Sequence, residues 1–282
     1  MSGREVQVKL QHPTRTGAPP INLNFECTQC GKCCRGLKLP LTVAEALDWL
    51  REGHQVQLLC DAVPWAVEPD PSDLKAAHRR RRSFAAMSGS LPTRVVAILA
   101  ANLAGVCPNL QADNRCGIYE RRPLVCRIYP AEINPFVQLD PAGKLCPPEA
   151  WASDRPLLQR DGRVVDAVVR QDIQVSRDTD AQNTDIKRRL CAALQIDCAA
   201  LVDEGFVLYS PDRAVLLSAL VRAIDGHDPQ PEASWRFVSN QSGTIDALTQ
   251  RGALGAVVGA GVNASFEYLG FLAPSAAATP DR

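Results

Sequence analysis

Aromatic residues, net charge and long apolar runs are all scarce in this sequence. Phe, Trp and Tyr make up 5% of the 282 residues, so a hydrophobic core must be built mainly from aliphatic side chains. Lys plus Arg and Asp plus Glu both number 31, which gives no electrostatic reason to expect a nucleic acid or an acidic membrane surface as partner. No apolar run approaches the roughly 18 to 20 residues that a membrane-spanning helix needs.

An export signal is also missing from the first residues. Residues 1–6 are Met-Ser-Gly-Arg-Glu-Val, and no apolar segment follows the arginine. We therefore expect a cytoplasmic protein, in which structural disulfides are rare. The eleven cysteines are an odd number and include the adjacent pair Cys33 and Cys34, which also argues against a disulfide framework. Reduced thiols are free to bind metals.

Four cysteines stand within eight residues. Residues 27–34, called the knuckle below, are C-T-Q-C-G-K-C-C, and Gly31 in the second spacer favours a tight loop that turns several sulfurs toward one point. C-x2-C is a common spacing by which two thiolates reach one zinc ion or iron–sulfur cluster. The knuckle therefore predicts a metal site.

A second block of cysteines lies between residues 107 and 146. The turn signal at residues 113–114 leads us to expect Cys107 and Cys116 on the two arms of a hairpin. Pro123 predicts a helix start or turn just before Cys126. Eight thiols are enough for two four-coordinate centres, or for one cluster with four thiols left over. The predicted metal ligands are Cys27, Cys30, Cys33, Cys34, Cys107, Cys116, Cys126 and Cys146.

The order of these motifs resembles the CxxCxxCC cysteine-cluster family over about residues 25–150. The resemblance implies a zinc- or iron-chelating domain. Flagellin lysine N-methylases are more distantly similar and have a related cluster, understood to be an iron–sulfur centre. Because this chain departs from them in its second block, methyl transfer is an alternative only. The resemblance rests on the knuckle and on Cys107, Pro108, Cys116, Ile118, Tyr119, Glu120, Arg122, Pro123, Cys126, Arg127, Tyr129, Pro130 and Cys146.

The residues leave the identity of the metal open. The first block is close to the C-x2-C-x2-C run of ferredoxins, and Cys107 and Cys146 precede prolines, as the last ligand of such a run does. Zinc sites usually draw their ligands from two C-x2-C knuckles, and the later block has none. The pattern favours a 4Fe–4S cluster, with zinc as the alternative. Arg122 and Arg127 are placed either to balance the charge of a thiolate site or to form surface salt bridges.

Residues outside the two blocks carry fewer signals. Three further cysteines are most simply core residues, since a free thiol is small and apolar. The basic run at residues 78–82 is better explained as a solvated loop or helix end than as a phosphate contact. The small-residue stretch at residues 259–264 mimics a dinucleotide fingerprint but lacks its second strand and acidic residue. The three further cysteines are Cys60, Cys191 and Cys198.

The predicted secondary structure is mixed. Thr42 and Glu45 form a capping box, which predicts a helix that ends near Gly53. Residues 94–99 are apolar and partly β-branched, which favours a strand. Helical patterns follow at residues 186–196, 199–203 and 214–224, and from Thr244.

We expect an α+β protein in three parts. They are an N-terminal arm at residues 1–24, an irregular cysteine-rich metal-binding domain at 25–150 and a mostly helical region at 151–282. The leading hypothesis is an iron–sulfur or zinc protein with a redox, regulatory or metal-handling role, without assigned catalytic residues. The alternatives are a protein-modifying enzyme and a structural zinc module that presents the helical half to a protein partner.

Overall fold

The computed structural model describes residues 22–227, 234–258 and 265–274. Expectations for residues 1–21 and 259–264 lie outside this part of the chain. Among the described helices, none is long and apolar enough to cross a membrane. The described strands are β1 (Leu23–Asn24), β2 (Arg35–Leu41), β3 (Val56–Pro64), β4 (Phe84–Ser88), β5 (Leu91–Val106), β6 (Leu157–Arg160), β7 (Arg163–Val164), β8 (Cys198–Leu201), β9 (Gly205–Tyr209), β10 (Arg236–Ser239), β11 (Leu254–Val257) and β12 (Glu267–Gly270). The α-helices are α1 (Val43–Arg51), α2 (Leu74–Arg81), α3 (Leu124–Ile128), α4 (Ala167–Gln182), α5 (Thr184–Ala193), α6 (Arg213–Ile224) and α7 (Ser242–Gln250).

The described chain forms two compact units and enters each of them twice. The cysteine unit consists of the described residues up to Glu45 together with Ala101–Asp180. The sheet unit consists of Ala46–Ala100 together with the described residues from Ala181 onward. All eight predicted ligands therefore belong to the cysteine unit, and the other three cysteines belong to the sheet unit. The expected division at residues 24 and 150 stays a prediction.

The sheet unit is built round short parallel strands. β3, β8, β10 and β11 are parallel and adjacent in the order β11-β10-β8-β3, with Asp61 opposite Ala200 and Arg236 opposite Cys198. β9 pairs antiparallel with β3 and β12, and β4 pairs antiparallel with β5. Every residue of β9 is buried. Strands covered on both faces are apolar throughout rather than alternating, which explains the continuous Phe-Val-Leu run in β9.

The expectation that residues 151–282 are mostly helical is wrong. The described part of this region contains β6 to β12 beside α4 to α7. Residues 199–203, predicted as helix, form most of β8 and the turn after it. A four-residue apolar run is too short for its periodicity to distinguish a buried strand from a helix, and pairing with β3 and β10 decides the outcome. The broader prediction of an α+β fold with a cysteine-rich N-terminal part is confirmed.

Local signals at element ends were predictive. Thr42 N donates to Glu45 Oε2 at 2.8 Å, and Glu45 N donates to Thr42 Oγ1 at 3.2 Å, which confirms the capping box of α1. Gly53 follows the helix in the left-handed region, with φ of 92°. Asp212 caps α6 by accepting two backbone N–H groups. The strand predicted at residues 94–99 lies within β5.

The basic run at residues 78–82 ends α2, as expected. Arg79 Nη1 pairs with Asp61 Oδ1 at 2.7 Å, and Arg80 Nη1 pairs with Glu68 Oε1 at 2.5 Å. Cations near a helix C-terminus are stabilised by the helix dipole. Internal pairing therefore accounts for these two arginines without a phosphate partner.

A small hydrophobic core supports the cysteine unit. Arg127 Nη2 on α3 pairs with Asp172 Oδ1 on α4 at 3.1 Å, which ties the two helices together. β1, β6 and β7 form a three-stranded antiparallel sheet in the same unit. β2 follows β5 in the strand order of the larger sheet, and residues 101–106 of β5 belong to this unit. One cluster of this core consists of Leu124, Ile128, Ala131 and Ile173.

Candidate metal centre

The knuckle is an irregular loop shaped by left-handed backbone positions. Gln29 and Gly31 have φ values of 52° and 69°. A single 3-10 turn, Lys32–Cys34, follows directly and leads into β2. In a 3-10 turn successive side chains start about 120° apart, so Cys33 and Cys34 leave the backbone in different directions. Their sulfurs nevertheless remain within hydrogen-bond distance of each other.

Gly31 determines how closely the knuckle approaches the second block. A Cβ at this position would lie 2.7 Å from Asn114 O and 2.9 Å from Leu110 Cδ1. Both distances are shorter than real contacts of a Cβ atom, and the positive φ adds strain for any other residue. The sequence marks Gly31 as a turn residue only. Its packing against residues 110–114 is a tertiary feature that no local pattern reveals.

Backbone hydrogen bonds attach the second block to the knuckle. Cys107 N, just after β5, donates to Cys34 O at 2.8 Å. Leu110 N donates to Cys107 O at 3.0 Å, and Leu110 forms an isolated antiparallel bridge with Cys116. The expected hairpin with Cys107 and Cys116 on its arms is therefore wrong in part. A turn is present, but Pro108 has no N–H to extend a ladder, and the described residues 107–119 contain no strand.

Cys126 is positioned by α3, whose first turn is held by Glu45. Leu124 N donates to Glu45 Oε1 at 2.6 Å, while Oε2 of the same carboxylate caps α1. Pro123 precedes the helix as its N-cap residue, which confirms the predicted start. One carboxylate therefore fixes both helices. The sequence indicated only the capping role of Glu45, because its second partner lies 79 residues away.

The N-terminal side of the knuckle is fastened to the segment that follows Cys146. Phe25 N donates to Pro156 O and Glu26 N donates to Ala150 O, both at 2.9 Å. They continue the antiparallel alignment of the two segments that begins where β1 pairs with β6. The start of the knuckle is therefore held beside the last predicted ligand.

Four thiols lie together where the second block meets the end of the knuckle. The thiols of Cys34 and Cys107 are hydrogen-bonded to each other, and Cys34 also contacts Cys33. Burial raises the pKa of Cys126 to about 12, and the thiols of Cys34, Cys107 and Cys116 add to that rise. The thiol of Cys126 therefore interacts electrostatically with all three.

Cys146 has different neighbours. Burial raises the pKa of its thiol to about 11, and the thiols of Cys27 and Cys30 add to the rise. The hydroxyl of Tyr129 and the ammonium group of Lys144 act in the opposite direction, because they stabilise the thiolate. The structure thus brings all eight predicted ligands into one unit but gives Cys146 and Cys126 separate surroundings.

Aromatic and cationic groups border the thiols. The Tyr119 hydroxyl is hydrogen-bonded to Cys27, and the Arg122 guanidinium stacks 3.6 Å from the centre of the Tyr119 ring. Arg122 also favours the thiolate form of Cys126. Arg127, the other arginine that could balance thiolate charge, pairs instead with a carboxylate of α4. One of the two expected charge-balancing arginines therefore lies at the site.

The donor chemistry of this region fits zinc or iron. All eight thiols are free and half-buried, and thiolates are ligands that both metals accept. The backbone N–H groups of Asn109 and Leu110 lie against the Cys107 sulfur and favour its thiolate. Asn109 Nδ2 is a buried donor for which the described residues supply no acceptor. Both features suit a negatively charged sulfur cluster at this place.

The thiols of the cysteine unit are not already arranged in the geometry of a metal site. Within the described ranges, no three His, Cys, Asp or Glu side chains are arranged so as to hold a metal ion. The contact with Cys33 and burial raise the pKa of Cys34 to about 11, against the opposing effect of the bond with Cys107. The thiols of Cys34 and Cys107 are therefore neutral at physiological pH and are hydrogen-bonded to each other. A metal must therefore displace protons and draw the sulfurs together as it binds.

The remaining three cysteines are core residues, as expected. The exposed fraction is 0% for Cys60, 1% for Cys191 and 8% for Cys198. A hydrogen bond to Cys191, together with complete burial, keeps the pKa of Cys60 well above its usual value. The Tyr209 hydroxyl accepts from Cys198 N at 3.1 Å and donates to Cys198 O at 3.0 Å. Apolar packing explains this group without a metal.

Eight free thiols in one loop-rich unit are typical of a metal-chelating domain. Residues 26–147 match the family model CxxCxxCC, described as "Putative zinc- or iron-chelating domain". This segment, which is less than half of the chain, is therefore similar to the CxxCxxCC domain, and all eight predicted ligands lie within it. No curated protein and no solved structure matches the chain in the corresponding comparisons.

Proposed function

We propose that the protein binds an iron–sulfur cluster through cysteine thiolates and uses it in a redox, regulatory or metal-handling role. The observation that carries this proposal is the gathering of eight free, half-buried thiols from two distant stretches of sequence in one unit. The C-x2-C-x2-C spacing of the knuckle supports iron–sulfur, because ferredoxins hold their clusters with such a run. When bound, the cluster supplies reversible one-electron chemistry.

The chain's own residues would hold and tune that centre. The predicted ligands are the eight thiols of the knuckle and the second block. Tyr119 and Tyr129 hydrogen-bond to Cys27 and Cys146, and Arg122 places a positive charge beside the thiols. Hydrogen bonds to sulfur, net charge and exposure set the reduction potential of a cluster. These residues would therefore favour the more negatively charged, reduced form.

Zinc is the second candidate, and one observation favours it. A single ion with Zn–S bonds of about 2.3 Å in tetrahedral geometry holds its sulfurs about 3.8 Å apart. The cysteines of a 4Fe–4S cluster bind four different irons and stay further apart. The direct thiol contacts of Cys34 with Cys107 and Cys33 suit the shorter spacing. In this case the domain would be a scaffold, and the function would lie in a protein partner of the chain.

Metal and sulfide analysis of protein purified without oxygen, with a visible spectrum, tests the proposal. Iron and acid-labile sulfide in equal amounts, with absorption near 400 nm that bleaches on reduction, would support the iron–sulfur function. Colourless protein that retains zinc through gel filtration would support the scaffold instead. Folded protein that retains neither metal after reconstitution would overturn both.

A further inference from the structure

The helix that carries Cys126 is too short to hold its own position. α3 spans only Leu124–Ile128, and its N-cap residue is Pro123, whose side chain offers no hydrogen-bond acceptor. Isolated helices of fewer than about 12 residues are marginal in water, so tertiary contacts must order this one. Cys126 lies in the first turn, and its N–H donates to Pro123 O at 2.9 Å. The position of Cys126 therefore depends on the contacts that hold the start of α3.

Glu45 supplies the acceptor that Pro123 lacks. Its Oε1 accepts from Leu124 N at 2.6 Å, and its Oε2 accepts from Thr42 N at 2.8 Å. Glu45 N in turn donates to Thr42 Oγ1 at 3.2 Å, so backbone and carboxylate are both held. Hydrogen bonds to an ionised group are roughly twice as strong as bonds between neutral groups. Glu45 thus caps α3 from a position 79 residues away in the sequence.

Glu45 is also connected to the knuckle through a regular element. β2 begins at Arg35, directly after Cys34, and ends at Leu41, one residue before Thr42. β2 and α3 pack against each other, and both belong to the cysteine unit. The carboxylate therefore joins the strand that follows the knuckle to the helix that carries Cys126.

The remaining contacts of α3 do not involve Glu45. Arg127 Nη2 pairs with Asp172 Oδ1 on α4 at 3.1 Å. The side chains of Leu124 and Ile128 are buried against α4 and the segment after α3. These contacts remain in a variant that lacks the carboxylate, so we expect its helix to stay attached to the unit while its first turn shifts.

We propose that Glu45 is a positioning residue for metal binding, which sets the place of Cys126 relative to the knuckle. The inference rests on the proposed function, since it requires thiolate metal binding, and it adds a residue that is not itself a ligand. By charge alone, a carboxylate near thiols disfavours their ionisation and so weakens metal binding. Positioning has the opposite sign, because a site that forms only when the unit is ordered gains affinity from a bond that orders it. The sign of the change in affinity therefore distinguishes positioning from charge.

The zinc affinity of the full chain, measured by competition with a chromophoric chelator, tests the inference. Glu45→Gln keeps the length of the side chain but has one acceptor oxygen, so it cannot serve Thr42 N and Leu124 N together. It should bind zinc about tenfold more weakly than the wild type, as expected for the loss of one hydrogen bond to a charged group. Thr42→Ala is the matched control, because it removes an acceptor from the cap of α1 and leaves the bond to Leu124. Its zinc affinity should stay close to that of the wild type.

The possible outcomes separate this inference from the proposed function. Equal or tighter zinc binding by Glu45→Gln, or the same loss in Thr42→Ala, would overturn the role of Glu45 and leave thiolate metal binding intact. A wild type that binds no zinc and reconstitutes no iron–sulfur cluster would overturn the proposed function as well.

Two further readouts separate positioning from a general loss of structure. At saturating zinc, Cys126 should be alkylated faster in Glu45→Gln than in the wild type, while Cys30 keeps its rate. An equal change at both thiols would contradict a positioning role. In the zinc-loaded wild type, the Leu124 amide should exchange slowly with solvent, which NMR measures without any variant. Fast exchange of this amide would overturn the inference even if Glu45→Gln does not fold.

Discussion

The two units of this chain use cysteine in opposite ways. The cysteine unit has eight half-buried thiols on loops and short turns, next to hydroxyl groups, backbone N–H groups and a guanidinium. The sheet unit has three buried thiols on β3, α5 and β8, of which Cys60 is hydrogen-bonded to Cys191. Burial alone therefore does not identify a metal site. Seven of the eight predicted ligands lie on loops and short turns and Cys126 lies on the short helix α3, whereas the three buried thiols lie inside strands and a helix of the sheet unit.

The difference also concerns what stabilises each unit. The cysteine unit has one aliphatic cluster of four buried residues on α3, the segment after it and α4, and it buries further aliphatic side chains on β2 and β6. The sheet unit buries most of the large aliphatic side chains of the described residues. Metal binding free energy is folding free energy where the site forms only on folding. We therefore expect the cysteine unit, and not the sheet unit, to depend on metal.

Removal of metal gives the largest expected effect. A chelator should abolish the cooperative unfolding of the cysteine unit, because its loops then lose the metal that joins them. The sheet unit should keep its own transition. Hydrogen exchange measured by mass spectrometry would show fast exchange in residues 101–150 and unchanged protection in β3, β8 and β9. Equal loss of protection in both units would contradict the comparison.

Replacement of a single predicted ligand should have the second largest effect. Cys30→Ser should cause loss of bound metal and partial unfolding of residues 25–150, since a hydroxyl is a poor ligand for soft metals. Metal content and limited proteolysis measure the two consequences. Cys191→Ala in the sheet unit is the matched control and should leave the metal content unchanged. A Cys30→Ser protein with full metal and native proteolysis would refute the assignment of this ligand.

Gly31→Ala should weaken metal binding without removing a ligand. The added Cβ would collide with Asn114 O and push the knuckle away from the second block. Gly36→Ala separates crowding from backbone strain, because Gly36 has a similar φ of 65° and open space around its Cβ position. Competition with a chromophoric chelator measures both affinities. Equal losses in the two variants would show that strain alone is responsible.

Truncation of a buried thiol should have a smaller, purely structural effect. Cys191→Ala removes one sulfur atom from the core and should lower the free energy of unfolding of the sheet unit by about 1 kcal/mol, as for other small core truncations. Urea unfolding followed by far-UV circular dichroism measures it. Loss of metal in this variant would show that the buried thiols take part in the metal site.

Alkaline pH should act on the two units with opposite sign. Burial, with a contribution from Asp197, raises the pKa of Cys198 to about 12, and burial also raises the pKa of Tyr209. An unfolded thiol ionises near pH 8.5, so the stabilisation is complete below that pH and is lost as the pH rises toward 12. Metal binding in the cysteine unit should strengthen over the same range, since the ligands must lose protons. The urea midpoint and the zinc affinity at about pH 7.5 and 10 would show the two trends.

Structural features that depend on neighbouring residues in the sequence could be predicted. Features that depend on tertiary contacts could not. The eight thiols and the capping box at Thr42 and Glu45 depend on neighbouring residues. β8 and β10 are short and take their form from pairing, so the region after residue 150 was wrongly expected to be mostly helical. The second bond of Glu45, the packing of Gly31 and the separate neighbours of Cys126 and Cys146 join residues far apart in sequence.

Differential alkylation of the native protein tests the central claim most directly. Each cysteine is labelled with an iodoacetamide reagent before and after chelation and is quantified by peptide mass spectrometry. The eight thiols of the cysteine unit should be protected by metal and become reactive when it is removed. The three thiols of the sheet unit should stay unreactive in both states until denaturant is added. Thiols of the cysteine unit that react equally with and without the chelator, in protein shown to retain metal, would contradict the account.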